Sequence, residues 1–161
     1  MKDKTQIDVG LSLRLSRYTF LRYMTSIIFF ICLYWFILNL PSKALGKLSL
    51  PIILGLIMIY INKELFALIK NPDKTTIDKT IKSLFLALFI SLSSLIVSFI
   101  NTRLVFAYIN SKLFVFVFIA AIILLILLSI RNAKKIQNNE DRVYKNYQKF
   151  KDKKYERIKH V

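Results

Sequence analysis

The sequence predicts an all-α integral membrane protein, a bundle of four transmembrane helices followed by a basic amphipathic C-terminal helix. Three observations predict it. First, 55% of the 161 residues are hydrophobic, and they gather into four uncharged runs. Second, a run of about 20 residues spans about 30 Å as a helix, the thickness of a bilayer's hydrocarbon core. A soluble domain of this length cannot hide four such runs. Third, the net charge of +16 stands outside the runs.

Residues 1–22 are a polar, basic N-terminal segment. Leu11, Leu15 and Tyr18 recur at helical spacing, with Arg14, Arg17 and Arg22 between them. Two readings fit: an amphipathic lead-in lying on the inner leaflet, or the solvated start of the first span. That span covers about 23–40 and ends at Pro41. Its apolar run is longer and bulkier than the core of a secretory signal peptide. Thr25, Cys32 and Asn39 recur every seven residues and share a face, and Tyr34 and Trp35 lie toward the far end, where aromatic belts form. The second span covers about 48–69. Pro51, Gly55 and Asn62 share a face, and Gly55 offers a close approach between helices. Lys63 and Glu64 reach the inner boundary by snorkelling. Asn71-Pro72 ends this helix, and Thr75 with Asp78 fits the cap of the next.

The third span, about 83–102, carries a small, hydroxylated stripe. At about 100° per residue, Ser83, Ala87, Ser91, Ser94 and Ser98 fall on one arc with Thr80 and Thr102. Leu84, Phe85, Phe89, Leu92 and Ile96 are assigned to the opposite side. In lipid, helices attract one another largely through close approach at small residues. The stripe therefore predicts a packing face, with Cys32 and Gly55 as its counterparts at similar depth and span three at the centre. Serines each bonded to a carbonyl one turn back, or a polar pore lining, are the other readings.

Arg103 to Lys112 is too apolar for an ordinary loop and too short to span. It is expected to lie at the outer interface, with Phe106 and Tyr108 as candidate contacts for a partner. The fourth span, about 113–130, has Ala120, Ala121 and Ser129 as its only small residues and is expected to face lipid more than the others. In the tail, 131–161, Asn138-Asn139 and Glu140-Asp141 read as a fresh helix start with acids at the positive end of the helix dipole. Asp141 and Lys145 are spaced to pair. Arg142, Lys145 and Lys149, with Arg14 and Arg17, are candidates for contact with anionic lipid. A solvated tail, or one that binds a protein partner, is the alternative.

Most of the 25 Lys and Arg lie in residues 1–22, 63–82 and 131–161. The positive-inside rule makes those segments and both termini cytoplasmic. Abundant Lys, Ile and Asn suggest a bacterial cell membrane. One Cys and one His allow neither an intrachain disulfide nor a histidine metal cluster, and no cofactor signature occurs. The deep part of each span holds no ionisable side chain of the kind with which pumps and coupled transporters mark their pathways. The expected protein is non-enzymatic and acts through helix–helix contacts in the bilayer, as an immunity or accessory protein for a membrane-active toxin or a membrane complex. A holin-like pore former or small transporter subunit is the alternative. Expected partners are lipids, anionic on the cytoplasmic side, and another membrane protein or a toxin; nucleic acid is not expected.

Overall fold

A computed structural model describes residues 2–42, 45–70, 74–106, 109 and 111–146. Four long helices account for nearly all of them: α1 (Lys2–Asn39), α2 (Leu45–Lys70), α3 (Lys74–Ile100) and α4 (Lys112–Gln137). Among the described residues there are no strands. Each helix is long and apolar enough to cross a membrane. α1 packs on α2 and α4, and α3 packs on the same two, while the diagonal pairs scarcely meet. The helices thus stand in a square. Span three is not central, because every helix has two neighbours and exposed flanks.

A seven-residue repeat produces the square. α1 buries Tyr18, Leu21, Thr25, Ile28, Cys32, Trp35 and Asn39; α2 buries Pro51, Leu54, Met58, Ile61, Leu65 and Leu68. α3 buries Ile77, Thr80, Leu84, Ala87, Ser91, Ser94 and Ser98; α4 buries Val115, Ile119, Ile122, Ile126, Ser129, Ala133 and Ile136. Steps of three and four alternate in each series. A repeat of 3.5 residues keeps one stripe against its neighbours when helices wrap left-handedly. α4 is correspondingly not the most exposed of the four: 33% of its apolar window is buried, against 28% for α1 and α3 and 39% for α2. Its stripe goes unseen in the sequence because both of its faces are apolar. The faces differ in shape instead. Stiff β-branched residues fill the core, while Leu113, Leu124, Leu127 and Leu128 face outward, and a β-branched side chain has less rotamer freedom to lose on packing.

The helix ends have local causes. Pro41 lies in the 3-10 turn that closes α1, where Ser42 Oγ donates to the Asn39 carbonyl at 2.7 Å. Pro51 is inside α2; without an N–H it frees the Lys47 carbonyl one turn back, close to the helix start. Ser111 caps α4, its Oγ accepting from Phe114 N at 3.4 Å. α4 closes at Asn138–Glu140: Asn139 N–H bonds Ile136 O and Glu140 N–H bonds Lys135 O. Asn139 has φ of 57°, so this is a Schellman close with asparagine at the left-handed position.

The helices differ from the predicted bounds at two places. α1 runs unbroken through 22, so no joint separates a lead-in from the span. Residues 131–137 belong to α4 and not to a separate tail. The fresh helical turn begins after the Schellman close, over 142–146, where Asp141 Oδ2 accepts from Tyr144 N at 3.1 Å. α4 starts at Lys112 with Ser111 as its cap, in keeping with the reading that kept 103–112 apart from span four.

Candidate functional site

Polar side chains tie the helices together at the two ends of the bundle. The end holding the start of α1 and the close of α4 is organised by Arg17, whose side chain is 14% exposed. Its Nη2 donates to Asp141 Oδ1 at 2.6 Å, to Asn139 Oδ1 at 2.9 Å and to the Ile136 carbonyl at 3.0 Å, and its Nε donates to Asp141 Oδ2 at 3.2 Å. The guanidinium also lies 5.1 Å from the centre of the Tyr144 ring. The planar fork suits this arrangement, since it grips a carboxylate with two donors and still reaches a third partner. The Ile136 carbonyl is one of the orphan acceptors at a helix C-terminus. Arg17 therefore fastens α1 to the close of α4 and to the start of the next turn.

At the opposite end, the link between α3 and α4 folds inward. Asn101 Oδ1 accepts from Arg103 N at 3.0 Å and starts a 3-10 turn, Thr102–Leu104. The turn delivers Val105 and Phe106 into the mouth of the bundle, both fully buried. The Val105 carbonyl accepts from Trp35 Nε1 at 3.2 Å and from Asn39 Nδ2 at 3.0 Å. Phe106 stacks on Trp35 with ring centres 5.6 Å apart and meets Phe118 edge-on at 5.3 Å. The link is a stopper made of chain, held by two donors from α1.

Between the ends, Thr25 Oγ1 donates to Asn62 Oδ1 across α1 and α2 at 3.1 Å. That bond, with the ring contacts Trp35–Phe118 and Phe99–Phe116, sets the antiparallel register. It brings Cys32, Gly55, Ser94 and Ile122 to one height. Arg22, Lys63, Lys82 and Arg131 fall within about one helical turn of each other at the Arg17 end.

The predicted packing residues lie as follows. Cys32, Gly55, Ala87, Ser91, Ser94 and Ser98 are buried, and Ser83 is half-buried. Ser91, Ser94 and Ser98 donate to Ala87 O, Ile90 O and Leu95 O. The face packs by being small, its hydroxyls satisfied within their own helix. Leu84 is a correction: it is buried beside the serines, because one residue on from Ser83 is only about 100° round the helix. Gly55 is a second correction, since a Cβ there would meet no atom within 4 Å; it is buried without a close approach.

Further corrections concern the contact residues. Phe106 is 1% exposed and faces Trp35, not a partner; Tyr108 lies outside the described residues. Trp35 is core, not belt, because it continues the Thr25–Cys32–Asn39 stripe. Arg17 is committed to Asp141 and is not free for lipid. Asp141 faces Arg17 in place of Lys145. Arg142 and Lys145 are exposed, whereas Lys149 and the side chain of Arg14 lie outside the described residues. Asp78 accepts from Gln137 of α4. Sequence reasoning missed Arg17–Asp141 and the Val105 acceptor. The signal for Trp35 was present in the seven-residue spacing; partners separated by 66 to 124 positions leave none.

Among the described residues no three His, Cys, Asp or Glu side chains converge as metal ligands would. A shallow apolar groove of about 440 Å³ lies on the outer side of α4, lined by Lys112, Leu113, Phe116, Val117 and Ala120. Compared with models of known protein families, with curated proteins and with solved structures, the chain finds no match in any of the three.

Proposed function

We propose that this chain is a multi-pass protein of a bacterial cell membrane, with both ends of the chain in the cytoplasm. In this reading it is not an enzyme and works by helix contact inside the bilayer. One observation carries the reading: the bundle is filled along its axis and stoppered by Val105 and Phe106. Buried side chains between the basic residues of its two ends are mostly apolar or small; the serines bond carbonyls of their own helices, and Thr25 and Asn39 bond groups across the bundle. A closed bundle offers no water-lined route, so its lateral surface is what remains for it to use. Immunity to a membrane-active toxin, or service as an accessory subunit of a membrane complex, is the specific form of that reading. Burial of Phe106 moves the contact surface from the outer link to the sides of the helices.

The placement follows from charge. Segments 23–42, 48–62, 83–102 and 113–130 are uncharged, and the last spans about 27 Å as a helix. Arg22, Lys63, Lys82 and Arg131 bound them on one side, and Lys47, Arg103 and Lys112 on the other. The richer side is cytoplasmic by the positive-inside rule. The test is reconstitution of the purified protein in sealed liposomes carrying a potassium gradient. The protein should resist alkaline extraction and the gradient should hold. Rapid dissipation would sink the closed-bundle reading in favour of a holin-like pore or a transporter subunit.

A further inference from the structure

The seam between α3 and α4 changes character abruptly near the cytoplasmic end. Toward the bilayer centre it presents Phe85, Phe89 and Leu127, all exposed. One turn further on it presents Lys82 from α3 and Lys134 from α4, also exposed. Lys134 Nζ lies 5.4 Å from the centre of the Phe85 ring, which fixes the two helices in register at this height. Lys82 is three residues from Phe85, hence on the same side of α3. The two ammonium groups therefore flank one seam at one level. Lys79 and Arg131 stand exposed beside them.

Among the described residues no carboxylate answers these cations. Asp78, one residue before Lys79 on α3, accepts from Gln137 of α4. The contrast with Arg17 is instructive, because there the fold supplies Asp141. Four unpaired cations over an exposed aromatic surface, at the polar edge of an apolar belt, match a molecule with an anionic head and apolar chains.

We propose that the cytoplasmic end of the α3–α4 seam binds one anionic phospholipid. Its phosphate sits between Lys82 and Lys134, its charge is further screened by Lys79 and Arg131, and its acyl chains lie on Phe85, Phe89 and Leu127. This rests on the membrane reading above. The phosphate replaces the missing carboxylate across the seam, so the lipid joins α3 to α4 where the α1–α4 pair is joined by Arg17.

The test is native mass spectrometry of the full chain released from detergent after titration with phosphatidylglycerol, phosphatidylcholine or inorganic phosphate. One phosphatidylglycerol should be retained in preference to phosphatidylcholine. Lys82→Gln with Lys134→Gln should lower its affinity about fivefold for each lysine removed. Lys82→Arg with Lys134→Arg should retain it, and Lys47→Gln with Lys112→Gln at the other end should not affect it. Thermal unfolding of each variant identifies misfolding, and the arginine pair then carries the comparison against wild type. Unchanged retention in the glutamine pair, or equal retention of phosphatidylcholine, would overturn the site. Displacement of the lipid by inorganic phosphate would show a soluble-anion site and overturn the lipid assignment. Should the chain prove soluble without detergent, the membrane reading itself falls, an outcome distinct from loss of lipid.

Discussion

Arg17 shows how little a residue's type says about its employment. Arg14, Arg17 and Arg22 are equivalent in sequence, three cations along one helix. In the fold, Arg17 holds a carboxylate, an amide oxygen and a helix-end carbonyl, while Arg22 lies 4.0 Å from the Phe66 ring centre. Hydrogen bonds to charged groups contribute about 1.5–3 kcal/mol each to stability. Truncating Arg17 also strands Asp141, which is 8% exposed. Arg17→Ala should therefore cost about 2 kcal/mol, read as a lowered melting temperature in detergent. Arg17→Lys should recover less than half, because an ammonium cannot repeat the two-pronged grip. In a double-mutant cycle with Asp141→Asn the two losses should be strongly non-additive. Independent losses would mean that the two side chains do not act as a pair. None of this was legible beforehand: Asp141 has a sequence neighbour, Lys145, at pairing distance, and its actual partner is 124 positions away.

Among the elements, α3 was the most legible and α4 the least. Small residues mark a buried face in lipid because everything else there is apolar, so Ser91, Ser94 and Ser98 betrayed the interior side of α3. α4 has no such marker within its apolar run, where small residues lie on both sides and the core side differs from the outer side mainly in its isoleucines. The number of helices followed from the charge-free runs; their lengths did not, since α1, α3 and α4 run on past the charged residues that bound those runs. The stopper did not, since Val105 and Phe106 resemble any interfacial pair until Trp35 and Asn39 are brought opposite them. Two substitutions distinguish side from side. Ser94→Leu should destabilise the bundle by forcing bulk into a packed face, at about 1–3 kcal/mol. Ile96→Phe, at a position 63% exposed, should be nearly silent in the same thermal assay. The reverse order would remove the serine face from the interior. Gly55→Ala should hold or raise stability, by up to about 1 kcal/mol, because the space for a methyl group exists and alanine is the better helix former.

At the scale of the molecule, the charged ends give a topology that intact cells can report. In a Cys32→Ser background, single cysteines replace Lys47, Lys112, Lys79 and Glu140 in turn. A membrane-impermeant thiol reagent should modify positions 47 and 112 from outside, and positions 79 and 140 only after permeabilisation. Labelling of 79 or 140 on intact cells would invert or dismantle the four-span arrangement. The same ends explain why the fold is a closed square and not a row. α1 is bound to α4 by Arg17 and to the α3–α4 link by Trp35 and Asn39, so the first helix and the last quarter of the chain complete each other.

That closure imposes an order on biogenesis. Trp35 and Asn39 are translated 70 and 66 residues ahead of the carbonyl they bond. During that interval the Trp35 indole N–H lacks the carbonyl it bonds in the finished bundle, an expensive state for a donor placed in hydrocarbon. The nascent hairpin is thus provisional, committed only when the second hairpin arrives with Val105. Residues 1–73 expressed alone should be degraded quickly, and co-expression with residues 74–161 should rescue them, as pulse-chase would show. Trp35→Phe should have opposite effects in the two settings: a longer half-life for the lone hairpin, and a lower melting temperature for the complete chain. The donor that stabilises the finished bundle would then also serve as the quality-control signal that marks an unfinished one.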